Sequence, residues 1–134
     1  MLADFASIRE GMLNVVSAGV TRMFAPTFPF GCSAWLAMVF VLPADVQDRI
    51  HTGTMTIKYA EGDIVAKAEF QIQPNTETLG AFNPGENMMF PAVVPLIGIP
   101  FPHAGQVDIN IDINGAFAGL LTFWIVEQPV PTPE

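Results

Sequence analysis

Two histidines, one cysteine and a few closely spaced carboxylates are the residues of this chain equipped to do chemistry. His51 and His103 are far apart, and neither has a second His or a Cys at the short spacing of zinc sites. Each flanks an expected turn, which predicts a surface or capping role. Nucleophilic catalysis would need Cys32 or Ser33 beside one of these bases, and the chain has no Gly-x-Ser-x-Gly elbow. Asp45 with Asp48, and Glu61 with Asp63, fall in turn-like segments where acidic residues are ordinary. The run Asn110-x-Asp112-x-Asn114-Gly115 imitates the first half of a calcium loop, yet its twelfth position is Leu121 instead of Glu. Phosphate-loop and dinucleotide glycine fingerprints are missing too. The expectation is a non-enzymatic protein with no catalytic residues, no metal and no cofactor.

The elements that would carry these residues read as strands. From Val107 to Asn114 apolar and polar residues alternate without a break: Val107, Ile109, Ile111 and Ile113 point one way, Asp108, Asn110, Asp112 and Asn114 the other. A period of two belongs to an extended strand with one dry face. Asn114-Gly115 suits the two positive-φ positions of a type I′ turn, so Phe117–Val126 is expected to fold straight back.

Upstream, Leu2–Ile8 reads as a strand, Arg9-Glu10-Gly11 as a turn and Met12–Thr21 as a second strand. Ala25–Gly31, with two prolines, is a connection. Cys32–Leu42 is nearly all apolar, as expected of a central strand covered on both faces, with a buried helix as the competing reading. Pro43–Arg49 is expected to hold one helical turn. Gly53–Tyr59 turns in Met55, Ile57 and Tyr59. Past the Glu61-Gly62-Asp63 turn it should pair with Ile64–Gln73, which turns in Ala66, Ala68, Phe70 and Ile72. Residues 74–87 form the longest polar loop. Met88–Leu96 contains Pro91 and Pro95 and is predicted to be an edge or bulged strand. Pro100–Gly105 is a turn, and 129–134 a proline-rich, polyproline-like tail. About eight strands at regular spacing predict an all-β, antiparallel two-sheet β-sandwich over residues 1–128, ahead of a small barrel.

Composition narrows the function classes. Hydrophobic residues make up 51% of the chain and charged residues 13%, against about 25% charged in an ordinary soluble domain. The formal net charge is −8, and Arg9, Arg22, Arg49, Lys58 and Lys67 are scattered singly. That argues against nucleic acid and anionic membranes, which need clustered cations. So apolar a chain is expected to have part of its surface covered by copies of itself or by other structural proteins. With Cys32 the only cysteine, no intrachain disulfide can form, which fits a reducing compartment. Beside Trp35 that thiol reads as a small buried hydrophobe. The opening Met1–Phe5 does not resemble a signal peptide, and Cys32–Leu42 is shorter than the roughly 20 residues of a spanning helix. A cytoplasmic location is expected, or a virion if the protein is phage-encoded.

The aromatic and proline-bracketed segments have two readings. As core caps they would close the ends of the sandwich. As an interface, where aromatics and Met are enriched, they nominate Phe24, Phe28, Phe30, Met88, Met89, Phe90 and Phe101, with Pro129, Val130 and Pro131 of the tail.

Several segments also resemble one family. These are Leu2–Ala6, Arg9–Gly19, Thr21–Pro26, Phe28–Phe30 and Ile97–Pro102, followed by Gly105 and the final strand. The chain is similar to members of a family of bacterial proteins of unknown function, DUF6941. The resemblance implies a small β-sandwich of bacteria, especially actinobacteria, and of some of their bacteriophages, and brings no catalytic residues. The leading expectation is a homo-oligomeric or particle-bound bacteriophage structural or accessory protein, such as a capsid or tail component. The alternatives are a binding module for a host or phage protein in defence or counter-defence, and a small hydrolase or ligand carrier.

Overall fold

The computed structural model describes residues 1–10, 12–43, 49–73, 83 and 85–129, and none of these is helical. Numbered in chain order, the strands are β1 (Leu2–Arg9), β2 (Met12–Ala18), β3 (Arg22–Ala25), β4 (Phe30–Gly31), β5 (Trp35–Leu42) and β6 (His51–Tyr59). They continue with β7 (Ile64–Ile72), β8 (Met88–Pro95), β9 (Pro100–Phe101), β10 (Gly105–Ile113) and β11 (Ala116–Glu127). One sheet has the order β2-β1-β5-β8, a second β3-β11-β10-β6-β7, and β4 pairs with β9 alone.

The predicted hairpin organises the larger sheet. β10 and β11 pair from Gly105↔Ile125 to Ile113↔Ala116, and Asn114 and Gly115 both take positive φ, at 53° and 82°. Val107 and Ile109 are fully buried, each contributing roughly 1.5–3 kcal/mol by leaving water. On its other side β10 pairs with β6, and β6 with β7. Leu2 and Leu36 of the four-stranded sheet share one core cluster with Ile57, Ile109 and Phe123 of the five-stranded sheet. Phe101 of β9 plugs one end, edge-on to Phe123 at 6.0 Å. Leu42, Ile72 and Met88 form a smaller cluster.

Several expectations are corrected. The run Met12–Thr21 breaks after Ala18, where Ser17 and Gly19 take positive φ. The chain then crosses to the other sheet, and β3 lies parallel to β11, so the pairing is not wholly antiparallel. β5 is an interior strand of its sheet, but it is not covered on both faces: Val39 and Val41 are exposed because no described element packs on that side. Ala68 is exposed, lying on the edge strand β7, whose register with β6 shifts between Ile57 and Lys58. Among the described residues the strands number eleven, two of them only two residues long, against the about eight expected. β8 is an edge strand, as its prolines required. The helical turn expected at 43–49, most of the loop at 74–87 and the tail beyond Pro129 lie outside the described residues.

Candidate functional site

The four-stranded sheet presents an oily outer face. Cross-strand pairs share a face, and the registers Phe5↔Val16, Ala3↔Trp35 and Val41↔Met89 place Phe5, Val16, Val39, Val41 and Met89 on one side. Met12, opposite Arg9, joins them at the far end of the β1–β2 ladder. All six are between 48 and 63% exposed. Phe5 meets the half-buried Trp35 edge-on at 5.4 Å. Together these six expose on the order of 600 Å² of apolar surface, distributed along the face on both sides of the Ser7–Asn14 pair.

Beside this face β5 also borders a cleft. Its register with β1 covers only Leu36 and Trp35, and Ala37 N–H donates to Met1 C=O at 2.8 Å. From Met38 onward β5 borders an apolar cleft of about 370 Å³, walled across from it by Leu13, Ile111, Ala118 and Gly119.

The residues nominated from sequence separate into three groups. Phe24, Met89 and Pro129 are exposed. Phe24 carries the Arg22 guanidinium 5.6 Å above its ring and belongs to a second apolar strip with Leu120 and Trp124, also exposed. Phe28, Phe30 and Phe90 are half-buried against the core. Met88 and Phe101 are buried in the core of the single chain. Val130 and Pro131 lie outside the described residues. The sheet face holding Phe5, Met12, Val16, Val39 and Val41 was missed. Its signal was the lack of charge on either face of Trp35–Leu42 and on the odd-numbered face of β1 before Arg9.

The titratable residues also find their places. His51, expected in a surface or capping role, is buried. The Asn114 side-chain amide donates to its Nδ1 at 3.0 Å, while Asn114 Oδ1 accepts from Thr52 N–H at 3.0 Å, so the hairpin turn is latched to β6. Asp108, Asn110 and Asp112 run along extended β10, where alternate residues sit about 6.7 Å apart and do not wrap around an ion. Cys32 is buried and its thiol donates to Leu96 C=O at 3.5 Å; burial pushes its pKa up. At the β6–β7 turn, Glu61 and Asp63 meet His103, which arrives from the loop before β10. His103 Nε2 stands 3.3 Å from Glu61 Oε1. The imidazole stacks on Tyr59 at 4.0 Å between ring centres. Tyr59 O–H donates to His103 C=O at 2.7 Å. Burial raises the Tyr59 pKa, partly opposed by that hydrogen bond. A cleft of about 340 Å³ opens beside this cluster, lined by Asp63, His103 and three prolines, Pro29, Pro100 and Pro102.

No curated protein matches this chain. The profile of a family of unknown function, DUF6941, matches residues 1–126, and the chain belongs to that family.

Proposed function

We propose that this DUF6941 member works by assembly: it is a non-enzymatic subunit whose four-stranded sheet lays its outer face against a second copy of the same chain. The two main sheets are read as the halves of a sandwich, since their inner faces share one core cluster. The observation that carries the proposal is the largely apolar face of Phe5, Met12, Val16, Val39, Val41 and Met89, interrupted only by the Ser7–Asn14 pair and Arg9. Its on the order of 600 Å² approaches the roughly 800 Å² that each partner gives to a standard stable interface. The half-buried Trp35, Pro91 and Val93 on the same side enlarge it further. The apolar cleft beside β5 favours association as well, since it extends the oily surface at the rim of this face. A structural or accessory role in a bacteriophage particle is the concrete setting in which such a subunit works.

Light scattering on the size-exclusion peak tests this, using the wild type and a Val39→Lys/Val41→Lys variant. Both valines face solvent in the single chain, so the double change costs about 0.5 kcal/mol per site or less, and folding survives. The wild type is expected to elute as a dimer or larger, and the variant as a monomer. A monomeric wild type across a dilution series, or an unchanged oligomer in the variant, rejects the proposal.

A further inference from the structure

We infer that Glu61, Asp63 and His103 form a binding site for one divalent cation of the zinc or manganese class, bridging the β6–β7 turn and the loop before β10. One donor atom from each residue lies within 4.8 Å of the others. Ligands held about 2.0–2.2 Å from a common ion stand roughly 3–4.3 Å apart. The 3.3 Å between His103 Nε2 and Glu61 Oε1 falls inside that range. The rest is a small adjustment of exposed side chains.

The histidine, more than the carboxylates, points to a cation. His103 Nδ1 lies 2.7 Å from the Ala104 carbonyl oxygen. A carbonyl only accepts, so Nδ1 carries the ring proton. That leaves Nε2 on the side of Glu61 Oε1, 3.3 Å away, as the ring atom placed to ligate. A histidine whose far nitrogen is pinned to a backbone carbonyl is how metal-bound imidazoles are oriented.

The ligands also stand on backbone that is already ordered. Gly62 N–H donates to Tyr59 C=O and Tyr59 N–H to Asp63 C=O, both at 2.9 Å, closing the turn. Tyr59 O–H donates to His103 C=O at 2.7 Å, and His103 N–H donates to the same hydroxyl oxygen at 3.3 Å, fixing the opposite loop. Little conformational freedom remains to be lost on binding. One imidazole nitrogen with two carboxylates suits borderline divalent ions, and the two negative charges balance the ion. Asp63 and His103 also line the proline-walled cleft, and three protein ligands would leave a further coordination position for a small ligand.

The test is calorimetric titration of the untagged full chain with zinc chloride and, separately, manganese chloride. It is run on the wild type, His103→Ala and Glu61→Gln/Asp63→Asn, with nitrogen-15 spectra of the wild-type imidazole alongside. Expected are one ion per chain, at least roughly tenfold weaker binding in both variants, and a large shift of Nε2 while Nδ1 keeps its proton. All three residues are exposed, so apo melting temperatures stay close to wild type. No saturable binding of either ion overturns the proposal. So does one-to-one binding that survives His103→Ala, or an Nε2 that titrates with pH and ignores both ions. These outcomes do not depend on the oligomeric state.

Discussion

Gly53 in β6 offers a sharp test of how the two sheets are held together. It lies directly across from Phe70 of β7, whose ring leans over it. A Cβ at position 53 would stand 2.2 Å from Phe70 Cζ, 2.4 Å from Cε2 and 2.7 Å from Cε1. Carbon atoms settle at about 3.5–4.0 Å, so the ring would have to retreat by roughly 1.3 Å. It cannot do so freely, because its other side meets Phe40 of β5, with ring centres 5.9 Å apart. Overpacking of this kind costs about 1–3 kcal/mol. Against it stands about 0.4–1 kcal/mol gained when alanine restricts the unfolded chain. Gly53→Ala is therefore expected to destabilise by about 1–2 kcal/mol. In a Phe70→Ala background the ring is gone and only the unfolded-state gain remains, so the same change should stabilise by about 0.4–1 kcal/mol. The coupling, about 2 kcal/mol, lies within the range for residues in contact. Urea unfolding of the four proteins, with unchanged m-values, measures it. A Gly53→Ala effect equal in both backgrounds, or none in the wild type, refutes the reasoning.

Two further predictions rest on single residues. Gly115→Ala meets no steric obstacle, since nothing lies within 4 Å of the new Cβ, but it forces an L-residue to φ +82°. A loss of about 1–2 kcal/mol in denaturant unfolding is expected, and an unchanged midpoint would count against the type I′ turn. Cys32 is buried and its pKa is raised above the ordinary 9.0, first by burial. The folded state thus holds the thiol proton more tightly than the unfolded state does. This stabilisation is complete below pH 9.0 and fades as pH climbs through the native value. Iodoacetamide labelling at that pH should proceed only at the rate of unfolding, and rapid labelling of the native protein would contradict it.

What could be read from the residues, and what could not, divides along the range of the interactions. The β10–β11 hairpin and the β6–β7 pairing were legible because alternation and turn residues are local signals, and both pairings are found. The crossing of β3 to the second sheet was not, because its parallel partner β11 lies about a hundred residues later, and only the glycine at position 19 hinted at a break. The burial of Met88 and Phe101 could not be separated from exposure on hydrophobicity alone, since a core cap and an interface anchor use the same residue types. Val39 and Val41 show the converse. An uninterrupted apolar run reads as a strand covered on both faces, but among the described residues nothing covers one of them. The meeting of His103 with Glu61 and Asp63 was hidden for a related reason. Motif spacing finds ligands carried on one element, whereas these converge from the β6–β7 turn and the loop before β10, which only the β6–β10 ladder aligns.

That missing cover links the composition to the proposed assembly. The charges are not spread evenly over the two sheets. Asp108 opposes Lys58, Asp112 and Glu69 both oppose Thr54, and Lys67 opposes Thr56, so all five charged residues share the outer face of the five-stranded sheet. On the outer face of the four-stranded sheet the registers place only Arg9 among charged residues. Had the high apolar content served the core alone, the two outer faces would resemble each other. They differ, and in the direction that association needs. With two copies meeting through their apolar faces, the charged faces point outward, about three sheet spacings of ~10 Å apart. At physiological salt the Debye length is about 8 Å, so a formal charge of −8 per chain offers little resistance to pairing through the four-stranded sheets. Contact through the five-stranded sheets would instead bury the charged side chains of Asp108, Lys58, Asp112, Glu69 and Lys67 at a desolvation cost, which gives the proposed dimer its orientation as well as its driving force.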